Sequence, residues 1–450
     1  MTEAATAVPS RPAWRRSPHD REILRLAVPA FGALIAEPIY LLTDTAVVGH
    51  LGTPQLAGLA VANAVLLALY TIFIFLAYGT TAAVSRLLGA GDQREAAHQA
   101  VQSMWLALFL GLGVMVLGFL VADPVIGLIG GAEGAVRTNA LVYLRISLVG
   151  VPSMLVVLAG TGYVRGLQDT RTPLAVAVGT AVLNLVVEVV LIYGFDQGIG
   201  ASALATVLAQ SVAALIYVQR LGRAARARGA ELRPHPASVG ALAKVGGQLL
   251  IRTAALRAAL AVATAVAARI GTVDLAAHEV AYAVWTFLAF GLDAVAIAGQ
   301  AIVGRALGAG EAGAARGAGR RMIEWGLGLG FVCTGLVLAT RTVLPHLFTS
   351  DPEVVQLTAF LLLWVAVVQP ASGVAFVLDG LLIGAGDLRW LAWAMIGATA
   401  VFVSAASLVM VLGLGIGWLW ASLALLVTSR AVSMLVRFHS DRWVVLGATR

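Results

Sequence analysis

Apolar residues along this chain do not alternate; they come in long, nearly unbroken runs separated by short polar or glycine-containing breaks. A helix needs about 20 residues to cross the hydrocarbon core of a bilayer, and the runs predict twelve such helices. They fall over 23–48, 56–82, 98–121, 138–162, 173–194, 200–219, 245–270, 276–303, 322–341, 356–383, 390–412 and 416–436. A membrane barrel would show strands of alternating hydrophobicity and is disfavoured. The stretch QRLGRAARARGAELRPHPASVG (219–240) has the Arg, Gly and Pro content of a surface linker and divides the spans six and six. The expected organisation is an N-tail (1–22), an N-lobe (23–219), a linker (220–244), a C-lobe (245–436) and a C-tail (437–450).

The two halves are copies. GTPQLAGLAVANAV (52–65) matches GTVDLAAHEVAYAV (271–284), and SRLLGAGDQREAA (85–97) matches GRALGAGEAGAAR (304–316), both at an offset of 219 residues. GYVRGLQDTR (162–171) matches GLLIGAGDLR (380–389) at an offset of 218. Three colinear matches at nearly one offset indicate an internal duplication. Each repeat holds an even number of spans, so the copies share an orientation and are expected to be related by an axis along the membrane normal, with a cavity between two six-helix lobes. The fold class is therefore an all-α polytopic membrane protein.

Composition agrees, with 60% hydrophobic and 12% charged residues and a mean hydropathy of +0.91. Soluble domains hold about 45–50% apolar and about 25% charged residues. The net charge of +7 would suggest nucleic acid in a soluble protein; here it marks topology, and no nucleic-acid partner is expected. With both termini placed in the cytoplasm, about 24 of the 30 basic residues fall in or beside cytoplasmic segments, the bias that sets orientation. The expected location is the plasma (inner) membrane. Arg15-Arg16 resembles half of a twin-arginine signal, but the apolar stretch that follows is too long for a cleaved leader and reads as the first span. The single cysteine, Cys333, can form neither an intrachain disulfide nor a cysteine metal site.

A charge at the bilayer centre costs about 2.5–3.5 kcal/mol on insertion scales, so intramembrane acids are functional candidates by default. In EPIYLLTDTAVVGH (37–50), Glu37 and Asp44 stand two turns apart with Tyr40 one turn from each. Glu188 follows Asn184 by one turn in the fifth span. The C-terminal half offers Asp293 and Asp379, while the copy of Asp44 is Ala263 and the seventh span carries Arg252 and Arg257 instead of an acid. Each has a plainer alternative. Asp44 can be a structural acid bonded to a neighbouring hydroxyl, and Glu37 can satisfy groups freed by a kink at Pro38. Asp293 is expected to pair with Arg252 or Arg257 as a C-lobe ion pair. Asp379 is expected to be solvated, and His50, His278 and His346 to be exposed at outer span ends.

In LLGAGD and ALGAGE the glycines suit left-handed helix C-caps and the acid suits the next helix's N-terminus. The phosphate-cradling pattern GxxxxGK[ST] is not present, and neither are HExxH and GxSxG, so no enzyme is expected.

The six-plus-six layout, EPIYLLTDTAVVGHLG, the GAGD loop and ALATVLAQ in the sixth span together resemble the multidrug and toxic compound extrusion (MATE) transporters, in their DinF-like branch, over about residues 23 to 436. The resemblance implies an N-lobe ion or proton and substrate site made of Asp44, Tyr40, Asn184, Glu188 and Thr206, with Glu37 beside it. Glutamate at 188 stands where some members have aspartate, and the C-lobe acids of the other prokaryotic branch are missing. It also implies export of small-molecule organic cations by antiport, with no cofactor, by a monomer surrounded by membrane lipids.

Carboxyls removed from water resist ionisation, and two close together resist it jointly. A site with Asp44 and Glu188 can thus exchange a proton or hold a cationic cargo, and antiport needs that competition. Proton coupling is the favoured expectation. Sodium is the rival, since Asp44, Asn184, Glu188 and Thr206 offer it several hard oxygens. A lipid-linked oligosaccharide flippase of the same broad superfamily is the other alternative; Arg252 and Arg257 alone speak for its cationic cavity.

Overall fold

The computed structural model describes residues 17–130, 133–195 and 197–448; Arg15-Arg16 and most of the expected N-tail lie outside them. Among the described residues twelve helices are long and apolar enough to cross a membrane. They are α1 (Pro18–Gly49), α2 (Thr53–Gly89), α3 (Gln93–Gly130), α4 (Gly134–Gly166), α5 (Arg171–Gly194) and α6 (Ile199–Ala227) in one lobe. The other lobe holds α7 (Pro236–Ile270), α8 (Thr272–Gly308), α9 (Ala312–Thr340), α10 (Pro352–Gly384), α11 (Leu388–Val411) and α12 (Ile416–His439). Most run past the apolar windows in the sequence, because a helix continues into the polar zone for as long as caps and charges satisfy its end groups. At the start of α1 the Ser17 side chain accepts from the His19 amide at 3.3 Å and Asp20 Oδ2 accepts from the Ser17 amide at 2.8 Å, a capping box.

The duplication reaches the packing. Gly111 on α3 meets Pro152 on α4, where an added Cβ would stand 2.5 Å from the proline Cα; Gly330 on α9 meets Pro370 on α10 at 2.6 Å by the same measure. The motif glycines divide into two jobs. Gly91 and Gly310, at φ +80° and +78°, are the left-handed residues that end α2 and α8, where a residue with a Cβ would be strained. Gly89 and Gly308 instead let those two helices cross: the Gly308 Cα faces the Arg86 carbonyl and the Gly89 Cα faces the Arg305 carbonyl.

That crossing lies on the face where α1 begins and α12 ends, and the lobes are joined there. Ile23, Leu26 and Ala27 of α1 pack on Val295, Ala298 and Ile302 of α8. Arg321 of α9 binds Asp20 through two bonds of 2.6 and 2.8 Å, and the Trp325 indole donates to the same carboxylate at 2.9 Å. Arg86 donates across the seam to the carbonyls of Ala385 (2.9 Å), Val445 (2.7 Å) and Gly447 (2.9 Å). On the opposite face α1 and α2 carry exposed Ile39, Leu42 and Leu67. The lobes are thus held together on the face where α1 begins and α12 ends, which is the closed face.

The 220–244 stretch, expected as linker, is helical through Ala227 and again from Pro236. The short remainder is pinned to α3, where Trp105 Nε1 donates to the Leu232 carbonyl at 2.8 Å and Gln102 Nε2 to the Arg233 carbonyl at 2.9 Å.

Candidate functional site

Asp44 of α1 and Glu188 of α5 are brought together deep in the N-lobe, 1% and 0% exposed. The Ser202 hydroxyl of α6 donates to Asp44 Oδ1, and Glu188 and Tyr143 stand against the same carboxyl. Asp44 Oδ2 and both Glu188 oxygens meet no donor among the described residues. Two ionised carboxylates in that condition would be costly, since buried polar groups need partners and buried charges need counter-charges. One proton between them turns an acceptor into a donor and relieves both. Immediately after Glu188 the helix widens into a π turn, Val190–Gly194, a distortion frequent at functional sites.

The other expected residues form a wall beside this pair. Thr206 Oγ1 donates to the Ser202 carbonyl at 3.2 Å and accepts from Asn184 Nδ2 at 3.2 Å, which leaves Tyr40 as donor in the 2.6 Å contact between its hydroxyl and Thr206. Tyr40, Asn184 and Thr206 line a cavity of about 480 Å³ within the N-lobe, together with Glu37; Asp44 and Glu188 do not line it. The single site expected from the sequence is therefore two compartments: a dry carboxyl pair and an open cavity, separated by one layer of hydroxyl and amide side chains.

The expected C-lobe pairing is corrected. Arg252 pairs with Asp379 of α10, with Nε to Oδ1 at 2.9 Å, and not with Asp293. Arg430 of α12 stands 3.9 Å from the same carboxylate. Asp379, expected in solvent, is 7% exposed. The reason is geometric: α12 packs on α10 and also touches α7, and two buried guanidinium groups draw in the acid on a neighbouring helix. Asp293 instead accepts from the Tyr78 hydroxyl at 3.2 Å and lines the N-lobe cavity from across the seam. Arg257 is exposed and reaches Thr71 at 3.3 Å. His278 is buried beside Tyr282 and Trp420 rather than exposed.

Ser202, Tyr143 and Arg165 were missed in the sequence. Ser202 lies one turn before Thr206 in ASALATVLAQ, so the helical period alone put it on the face of Thr206. Tyr143 and Arg165 sit in spans without an acid and gave no such signal.

Comparison with known proteins places these features in a family. The profile described as MatE matches residues 29–190 and 256–409. The chain is 31% identical to Protein DETOXIFICATION 44, chloroplastic, of Arabidopsis thaliana over 92% of its own length and 81% of that protein's. It is 29% identical to DNA damage-inducible protein F of Escherichia coli (strain K12), over 92% and 91% respectively. Among solved structures, a MOP superfamily transporter from Pyrococcus furiosus superimposes with a TM-score of 0.84 at 21% identity, covering 95% of this chain and 96% of that one.

Proposed function

The chain belongs to the MatE family of multidrug and toxic compound transporters, and within it we propose a proton-coupled antiporter that exports lipophilic organic cations by alternating access. As a family member it is a multi-pass membrane protein that handles small molecules and not an enzyme. The observation that carries the reading is the buried Asp44–Glu188 pair, short of donors and set behind the wall of a cavity lined by Glu37 and four tyrosines, Tyr40, Tyr70, Tyr78 and Tyr143. Carboxylate and aromatic faces together stabilise an organic cation. The pair holds the proton; Tyr40, Thr206 and Asn184 transmit its arrival or loss to the cavity through their shared hydrogen bonds.

Several features support protons over sodium. Sodium asks for free oxygens, and Thr206 Oγ1 is already engaged three times, by the Ser202 carbonyl, Asn184 and Tyr40. A proton needs only the carboxyl oxygens that lack donors. Alternating access follows from two lobes rocking about the seam, with Pro29 and Pro38 inside α1 making it the bendable connection. The arginine bias puts the closed face, both termini and the segment between α6 and α7 in the cytoplasm, with the cavity serving the outer side in this state.

The test is transport in proteoliposomes of a panel of fluorescent cations, driven separately by a pH gradient and a sodium gradient. A pH gradient alone should move the cations in sodium-free vesicles. Silence under it, relieved by sodium, overturns the coupling ion but not the N-lobe site.

A further inference from the structure

Arg165 is a buried cation with no assigned partner. It ends α4 one residue before Gly166, and is 9% exposed. Its side chain lines the N-lobe cavity on the side of the closed face, next to Thr161 and Tyr70. Its Nε meets no acceptor, and among the described residues no hydrogen bond or ion pair involves its guanidinium. Other basic residues on this face behave differently: Arg220 reaches Asp169 at 3.0 Å and Arg305 reaches Gln168 at 2.6 Å.

Two plainer roles fail to account for it. A topological marker would reach out to the membrane surface, as long basic side chains do, whereas this one turns inward to line the cavity. A structural cation required by the fold should recur in the second copy, yet the equivalent position in GLLIGAGDLR is Ile383, buried in the C-lobe. Asp293 lies within electrostatic reach, but among the described residues no carboxylate oxygen comes within the 4.0 Å of an ion pair, and Asp293 already accepts from Tyr78. Its buried Nε lacks an acceptor among the described residues, a cost that a ligand meeting the Arg165 guanidinium from the cavity would relieve.

We propose that Arg165 is an anion-recognition residue at the inner end of the cavity, so that the best cargo is amphoteric: a lipophilic cation that also carries a carboxylate or equivalent acid. This rests on reading the cavity as the cargo site. The cationic part of such a molecule meets Glu37 and the tyrosine faces, while its acid takes the planar fork of Arg165, whose geometry matches a carboxylate in two bonds. Each half of the ligand then neutralises a group that is otherwise left in low dielectric.

The experiment measures binding to the purified protein in nanodiscs by fluorescence polarisation. Its probes are a zwitterionic carboxy-rhodamine and its methyl ester, which differ only in the acid. The wild type should bind the acid more tightly. Arg165→Gln should weaken the acid by about tenfold or more, the loss of a charged hydrogen bond, and leave the ester within about twofold. Arg165→Lys should fall between, restoring charge without the fork. Equal loss of both dyes, no loss of either, or failure of the wild type to bind the acid overturns the proposal. So does native mass spectrometry showing an anionic phospholipid that leaves with Arg165→Gln while acid binding is unchanged. Export of the dyes from proteoliposomes is scored separately: selective binding without export refutes the transport reading and leaves Arg165 as the anion site.

Discussion

Replacing Gly308 with alanine should open the closed face. An added Cβ at Gly308 would run into the Arg86 carbonyl oxygen and stand 2.7 Å from its carbon and 2.9 Å from the Arg86 Cα. Carbon atoms in good contact sit about 3.5–4.0 Å apart, so α2 and α8 must part by roughly 1 Å. The neighbours that clash are backbone, which cannot rotate away. Overpacking of this kind costs about 1–3 kcal/mol, and it falls on the closed state alone if the helices separate when the lobes rock. At about 1.4 kcal/mol per factor of ten, the open population should rise roughly 5- to 100-fold. The assay is the labelling rate of a cysteine placed at Ser85, which is fully buried at the crossing, by a bulky maleimide in a Cys333→Ala background. Gly89→Ala should act alike, since it meets the Arg305 carbonyl carbon at 2.8 Å, and the two together should fall short of additive because they relieve one contact. Gly328→Ala, with nothing within 4 Å, is the control. Unchanged labelling in Gly308→Ala with an unchanged melting temperature would refute the claim that this crossing holds the face shut.

Other expectations concern the site and its supports. Asp44→Asn should abolish export driven by a pH gradient, and Ala263→Asp should not restore it in the double mutant, because Ala263 has no counterpart of Glu188 and Ser202 beside it; recovered export would show the lobes to be interchangeable. Tyr40→Phe removes the 2.6 Å bond to Thr206, worth about 1 kcal/mol, and should raise proton leak without cargo, read with a pH-sensitive dye inside vesicles. Asp379→Asn leaves Arg252 and Arg430 without their carboxylate and should cost about 3–5 kcal/mol; thermal denaturation should show a large loss, smaller in the Arg252→Met/Asp379→Leu double mutant. A cysteine at Glu231, an exposed position between α6 and α7, should resist impermeant reagents applied outside intact cells, and rapid labelling there would reverse the assigned orientation.

Much of this molecule could be read without coordinates, because the signals involved are local. Crossing oil demands continuous apolar helix, so twelve spans could be counted from the chain. Duplication leaves sequence matches at a constant offset, and the crossing glycines Gly89 and Gly308 lie at that same offset of 219. Asp44, Glu188 and their helical neighbours stood out because a carboxyl in a span is rare and its period of 3.6 names its face. What the chain could not settle was which faces meet. Arg252 had two acids of its own lobe within plausible reach, Asp293 and Asp379, and only the packing of α12 on both α10 and α7 gave it Asp379 and left Asp293 to Tyr78. The partition of one expected site into a dry carboxyl pair and a cavity arises because Thr206 turns its hydroxyl toward Tyr40 and Asn184 while Ser202, one turn earlier, turns toward Asp44. Arg165 looked like any basic residue at a span end until α4 was seen to aim it inward. Helical period fixes direction around a single axis; rotation and crossing of several axes decide partners, and those depend on the whole core at once.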